Sequence, residues 1–173
     1  MSGFYPYTFS SQIERFGVGK ARKVWYNVVF MPDALKKELP FDKYPRLRVD
    51  GEIADIPISN AFIPAGDGRN YVIVSPEVMK EAGLSVDDLV EMRLRIADQD
   101  HVDIPGRLAH AISRTKKTQA GWDALTPGKR RMLAQHVKSA KTDPTRIKRI
   151  EEAISAIRHH KGDLRALFKV RRR

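Results

Sequence analysis

Two stretches in the first half of the chain spell the same short unit, and a chain that repeats such a unit has few ways to bury its apolar faces. Val29-Phe30-Met31-Pro32-Asp33-Ala34-Leu35-Lys36 lies over Ile73-Val74-Ser75-Pro76-Glu77-Val78-Met79-Lys80 with the prolines matched. Each copy reads strand, Pro, acid, apolar pair, Lys. One residue of slippage later, Arg46-Leu47-Arg48-Val49 meets Glu91-Met92-Arg93-Leu94, so each copy is strand, short helix, strand. One such unit leaves an apolar face open, and two can cover each other. The repeat predicts a pseudo-twofold β-barrel.

The rest of the first 98 residues agrees with that expectation. Short β-rich runs at Tyr7 to Arg15, Lys23 to Met31, Arg46 to Ala54, Ile56 to Ile63, Asn70 to Val74 and Leu89 to Ile96 are separated by turn signals. Asp50-Gly51 and Ala65-Gly66-Asp67-Gly68 supply residues that tolerate positive φ, as tight hairpins require. Short helices are expected from Asp33 to Leu39 and from Pro76 to Ala82, the second with Ser75 as N-cap and Gly83 as its stop.

From residue 99 the pattern changes. Residues 99–104 lack periodicity and read as a linker, and residues 105–173 take a helical period. Leu108, Ala111, Ile112 and Thr115 fall on one stripe of a first helix whose pattern fades near Gln119 to Gly121. Thr126-Pro127 opens a second helix with Leu133, His136, Val137 and Ala140 facing inward. Asp143-Pro144 opens a third, with Ile147, Ile150, Ile154 and Ile157 as its stripe, a polar arc that includes Glu151 and Glu152, and Gly162 as its end. Lys169 to Arg173 read as a frayed basic terminus. The expected fold class is α+β: a barrel domain over 1–98, then a basic region of about three helices.

Charge separates the same two parts. Residues 1–98 carry 13 Lys/Arg against 14 Asp/Glu, a net of −1, whereas residues 99–173 carry 19 against 7, a net of +12. Lys129, Arg130, Arg131, Lys138, Lys141, Arg146, Lys148 and Arg149 place eight cations in about 20 residues. Phosphate polymers reward such density because each neutralised phosphate releases condensed counterions. These eight are the candidate polyanion-binding residues, with nucleic acid or another anionic polymer as the partner, and a basic but merely solvated face as the alternative.

Catalytic and metal-binding patterns do not emerge from the sequence. The chain has no cysteine, which removes thiolate chemistry and disulfides and suits a reducing cytoplasm. His101, His110, His136, His159 and His160 form no His-Glu-x-x-His arrangement, and the Gly-rich stretch Ala65 to Arg69 lacks the Lys-Ser/Thr of a phosphate loop. No enzyme activity, cofactor or metal is expected. Met1 to Ser10 has no basic stretch followed by a long apolar run, and no stretch approaches a spanning helix. Trp25, Tyr26, Phe30, Phe62 and Tyr71 could offer bases a stacking platform, but their mixed strand parity favours core packing. Trp122, with Leu125, is expected to cover the start of the second helix.

The segment Trp122-Asp123-Ala124-Leu125-Thr126-Pro127-Gly128-Lys129-Arg130-Arg131, then Ala140-Lys141 and Thr145-Arg146-Ile147-Lys148-Arg149-Ile150, resembles the C-terminal signature of the bacteriocin-protection, YdeI/OmpD-associated family. Gly128 stands where that signature usually has Ser, and His136 where it often has Trp. The N-terminal part resembles the domain of unknown function that often precedes it. The resemblance implies a double-split β-barrel similar to transition-state-regulator domains, and a link to stress or antimicrobial-peptide protection. It brings no catalytic residues. Three functional classes stay open: nucleic-acid binding through the basic tail, a protein-interaction or scaffolding module, and a small-molecule-binding barrel.

Overall fold

The computed structural model describes residues 4–170, and the chain divides into two compact units, Met1–Gln99 and Asp100–Arg173. The first unit contains seven strands and two short helices among the described residues: β1 (Tyr7–Val18), β2 (Val24–Phe30), α1 (Asp33–Lys36), β3 (Arg48–Ile53), β4 (Ile56–Ala61), β5 (Ile63–Pro64), β6 (Asn70–Ile73), α2 (Pro76–Glu81) and β7 (Leu89–Ile96). The strand order is β4-β3-β7-β1-β2-β6-β5, and every pairing in it is antiparallel.

Two strands belong to two sheets at once. β1 pairs with β7 through Tyr7–Gln12 and with β2 through Ile13–Val18. At the other end, β4 and β5 are consecutive pieces of one extended stretch broken only at Phe62; β4 pairs with β3 and β5 with β6. The outermost strands of the order are therefore covalently continuous, and the sheet closes into a barrel with two split strands. The repeat is visible in the pairing. Exchanging β1 with β4–β5, β2 with β6 and β3 with β7 leaves the order unchanged, which is the pseudo-twofold expected from the matched Pro32 and Pro76 units.

Alternation decides what lies inside. Phe9, Ile13, Val29, Val49, Ile53 and Phe62 belong to the buried core with Val72, Val90, Met92 and Leu94, and α1 and α2 add Leu35, Val78 and Met79 against it. Phe62, fully buried at the break between β4 and β5, lies 6.5 Å from the Phe9 ring and 6.2 Å from Phe41. On the opposite side of the β1-β2-β6 sheet a second cluster gathers Val28, Phe30 and Tyr71 with Phe16 and Tyr26. The Arg69 guanidinium sits 3.9 Å above the Phe30 ring.

Two sequence expectations change here. Asp50-Gly51 is not a hairpin turn but the middle of β3, and the β3–β4 connection is Ala54-Asp55, both at positive φ (47° and 64°). Arg93 braces that turn by ion pairs to Asp55 and to Glu52 at 3.0 Å. Gly51 instead answers a close approach: a Cβ there would lie 2.1 Å from the Arg93 carbonyl oxygen. α1 ends at Lys36, short of the expected Leu39.

The second unit contains, among the described residues, five helices where about three were expected: α3 (Gly106–Ser113), α4 (Lys116–Asp123), α5 (Pro127–Lys138), α6 (Asp143–His159) and α7 (Leu164–Val170). The long first helix is broken because Thr115 leaves helical geometry and caps α4, accepting from the Thr118 amide at 3.2 Å. Gly121 marks a close helix contact rather than a fading pattern, since a Cβ there would meet Ile157 Cγ2 at 2.9 Å. Thr126 and Thr142 cap α5 and α6 through their hydroxyls.

The α5 stripe is as expected, with Leu133, Val137 and Ala140 buried. The α6 stripe is as expected in three of its four residues: Ile157 is buried and Ile150 and Ile154 pack against the core, whereas Ile147 is exposed and Glu152, Ala153 and Ala156 are buried in addition. Beyond Gly162 (φ 75°) α7 buries Leu164 and Leu167, so Lys169 belongs to a helix; Arg171–Arg173 lie outside the described residues. The Gln99 side chain is tied to the backbone of Arg48, and Val102 and Ile104 pack on the helical core, so residues at both ends of the 99–104 segment are anchored.

Gly51→Ala should lower the stability of the barrel by about 2 kcal/mol or more, since the added methyl cannot be accommodated without separating β3 from β7. Urea unfolding followed by circular dichroism would measure it, and an unchanged midpoint would contradict the close approach.

Candidate polyanion-binding surface

The eight cations singled out from the sequence do not form one uniform patch. Four hold oxygens of neutral groups in the second unit. Arg130 donates to the carbonyls of Trp122 (3.1 Å) and Asp123 (2.6 Å), and Lys129 to that of Lys161 (2.9 Å). Arg149 donates to the His136 carbonyl (3.0 Å) and Ser139 Oγ (2.7 Å), and Arg131 to the His101 carbonyl (3.2 Å). The last carbonyls of a helix have no partner within it and carry the negative end of its dipole, so a cation placed there is stabilising. Arg130 serves the end of α4 in this way and Arg149 the end of α5.

Two of the eight are paired with carboxylates. Lys138 bonds Asp103 and holds its carboxyl below the ordinary range, and Arg146 bonds Asp143 at 2.6 Å while donating to the Ala140 carbonyl. Lys141 and Lys148 are exposed and make no ion pair or hydrogen bond among the described residues.

A different set of residues comes together along α6. A groove of about 590 Å³ between α3 and α6 is lined by Arg114, Thr115, Ser155, Arg158 and His159, with one acid, Glu151. Ala111, Ile150 and Ile154 supply its apolar part. Arg158 is oriented by hydroxyls rather than by a carboxylate, donating from Nε to Thr118 Oγ1 at 2.7 Å and from Nη2 to Thr115 Oγ1 at 3.2 Å. Its positive charge is thus positioned without being neutralised. Lys148, Ser155 and His159 follow i, i+7, i+11 spacing on α6, which puts Lys148 on the stripe that runs into the groove. Arg114, Lys116 and Lys117 add three exposed cations at the α3–α4 junction.

Sequence reasoning passed over Arg114 and Arg158 because they lie outside the dense run from Lys129 to Arg149, and density was the signal followed. It also misplaced Glu152. That carboxylate is 5% exposed and meets His136 Nε2 at 2.8 Å, a buried pair linking α5 to α6, with the Phe168 ring edge-on to His136. Among the described residues no group of His, Asp and Glu is arranged to hold a metal ion, and no helix is long and apolar enough to cross a membrane.

The aromatics divide. Phe30, Phe62 and Tyr71 are buried as expected, and Trp122 is buried with its carbonyl held by Arg130, whereas Trp25 is 54% exposed.

Residues 101–160 match the family model described as bacteriocin-protection, YdeI or OmpD-associated, and residues 9–94 match that of a domain of unknown function, DUF1905. Each part of the chain is thus similar to one of these two families. No curated protein and no solved structure matches it. The two matched segments fall within the barrel and the helical unit, and the cap-forming Thr126 and Arg130 lie inside the C-terminal one.

Arg130→Ala should cost about 1–3 kcal/mol of stability, because it removes two hydrogen bonds to the end of α4 and leaves the Trp122 carbonyl only its bond from the Leu125 amide, while Lys148→Ala should stay within about 0.5 kcal/mol. Chemical denaturation of both variants would test this, and equal losses would remove the distinction between capping cations and free ones.

Proposed function

We propose that this protein acts without catalysis, by binding nucleic acid through phosphate contacts on its helical unit. The observation that carries this reading is the groove along α6, where Arg114 and Arg158 stand on one surface with no carboxylate bonded to either among the described residues, and Lys148 lies on the same helix stripe. A guanidinium held by neutral hydroxyls keeps its charge for a phosphate oxygen. The excess of 19 cations over 7 acids supplies a field that draws a polyanion to the unit before any contact forms.

Within the eight sequence candidates the roles separate. Lys141 and Lys148 are proposed as direct phosphate contacts; Lys129, Arg130, Arg131 and Arg149 add to the field while holding backbone carbonyls; Lys138 and Arg146 are largely offset by Asp103 and Asp143. A small-molecule role for the barrel draws less support, since Phe9, Phe41 and Phe62 occupy its interior. A cytoplasmic location and the protective role in the family description belong to the same proposal, exercised by binding.

Fluorescence anisotropy with the full chain and duplex DNA, at 50 and 200 mM salt, tests it. Six or more phosphate contacts predict a loss of roughly a thousandfold across that range, and Arg114→Glu with Lys148→Glu should weaken binding and reduce the salt slope by about two. No binding at 50 mM, or a double variant indistinguishable from the parent, would refute the reading.

A further inference from the structure

The barrel unit has a net charge of −1, but that average conceals one strongly cationic element. From Arg15 to Pro32 the chain carries Arg15, Lys20, Arg22 and Lys23 and no acid, leaving 9 cations against 14 acids in the rest of residues 1–98. β6 pairs with β2 only over Val28–Phe30, whereas β1 and β2 stay paired to Val18↔Val24. The far half of this hairpin is therefore a two-stranded ribbon running on past the third strand of its sheet.

Trp25 sits on that ribbon opposite Gly17. A Cβ at Gly17 would lie 3.3 Å from Cη2 and Cζ3 of the indole, so the ring lies across the glycine backbone, and Lys23 Nζ is 6.0 Å from the ring centroid. The indole is thereby fixed against the ribbon on one side while the residue remains 54% exposed. Strand alternation puts Arg15, Gly17, Trp25 and Asn27 on one face. Glu14, Val18 and Val24 take the other, and Glu14 interacts with Arg69 there.

We propose that this ribbon is a binding site for single-stranded nucleic acid, with a base stacked on Trp25 and the flanking phosphates held by Arg15, Lys23 and Arg22. A fixed aromatic surface among cations is the combination that single strands reward, since every base has a π-face and every linkage a charge. The disposition of the two faces favours this occupant over an anionic membrane. A membrane would call for apolar neighbours beside the tryptophan, but the exposed Val18 and Val24 lie on the opposite face and the neighbours of Trp25 are Arg15 and Asn27. The site is on a different unit from the α6 groove and stands or falls independently of it.

The test uses the full chain with a labelled oligothymidylate of about 12 nucleotides and a duplex of the same length. Trp25→Ala should weaken single-strand binding roughly tenfold and change duplex binding little. Arg22→Glu with Lys23→Glu, whose side chains are exposed at the ribbon end, should weaken single-strand binding by a similar factor without touching the indole. Oligothymidylate should quench tryptophan emission in the parent, and Trp25→Phe, which retains buried Trp122, should lose that quenching. Single-strand binding that survives all three variants would overturn the proposal and leave Trp25 as a shield for Gly17. A blue shift of Trp25 emission on phosphatidylglycerol vesicles, with no quenching by oligothymidylate, would overturn it in favour of a membrane. In Arg114→Glu with Lys148→Glu the Trp25-dependent binding should persist, so the failure of either site is read separately.

Discussion

The barrel depends on β1 and the β4–β5 stretch each serving two sheets, because neither sheet could cover its apolar side alone. β1 changes partner between Gln12 and Ile13, and β4–β5 changes partner at Phe62, whose ring then lies between Phe9 and Phe41 at the centre of the core. The price of that geometry appears where strands crowd. Gly51 has no room for a side chain against Arg93, and the turn at Ala54-Asp55 takes a conformation that L-residues disfavour, offset by the ion pairs of Arg93. The same partner change in β1 makes its second half part of the ribbon that carries Trp25.

In the helical unit the governing constraint is the termination of short helices. Five helices packed into about 65 residues expose many end carbonyls, and water is excluded from part of them. Arg130, Arg146 and Arg149 reach across to those ends. A strongly basic composition is thus partly a requirement of the fold. What remains after capping is a smaller set of cations, and it is these that shape the electrostatic surface along α6 and at the α3–α4 junction.

Much of the architecture was legible in the chain. The matched Pro32 and Pro76 units carry the twofold pairing of the barrel, all strands lie within a few residues of their expected places, and Ser75 and Thr126 cap the helices expected of them, whereas the cap of α6 is Thr142, one residue before the expected Asp143. Local chemistry drives these features, so local sequence reports them. The misreadings have a common cause. Asp50-Gly51 looked like a turn because glycine tolerates many conformations, and only the neighbour across the sheet shows that it is needed for space. Ile147 looked like part of the core stripe of α6 because periodicity measures apolarity along one helix and not how far its neighbours reach.

By itself the sequence determined the fold class, the split between a near-neutral barrel and a basic helical region, and the likeness of each part to a known family, all of which follow from periodicity, composition and motifs read along the chain. Only the tertiary structure decided which cations remain free. A charge acquires a role from what lies within about 3 Å of it, and for Arg130, Arg149 and Arg158 those partners are 7 to 43 residues away in sequence. The same holds for Trp25, whose exposure follows from how far the β1–β2 ribbon runs past β6 and not from anything in its own strand.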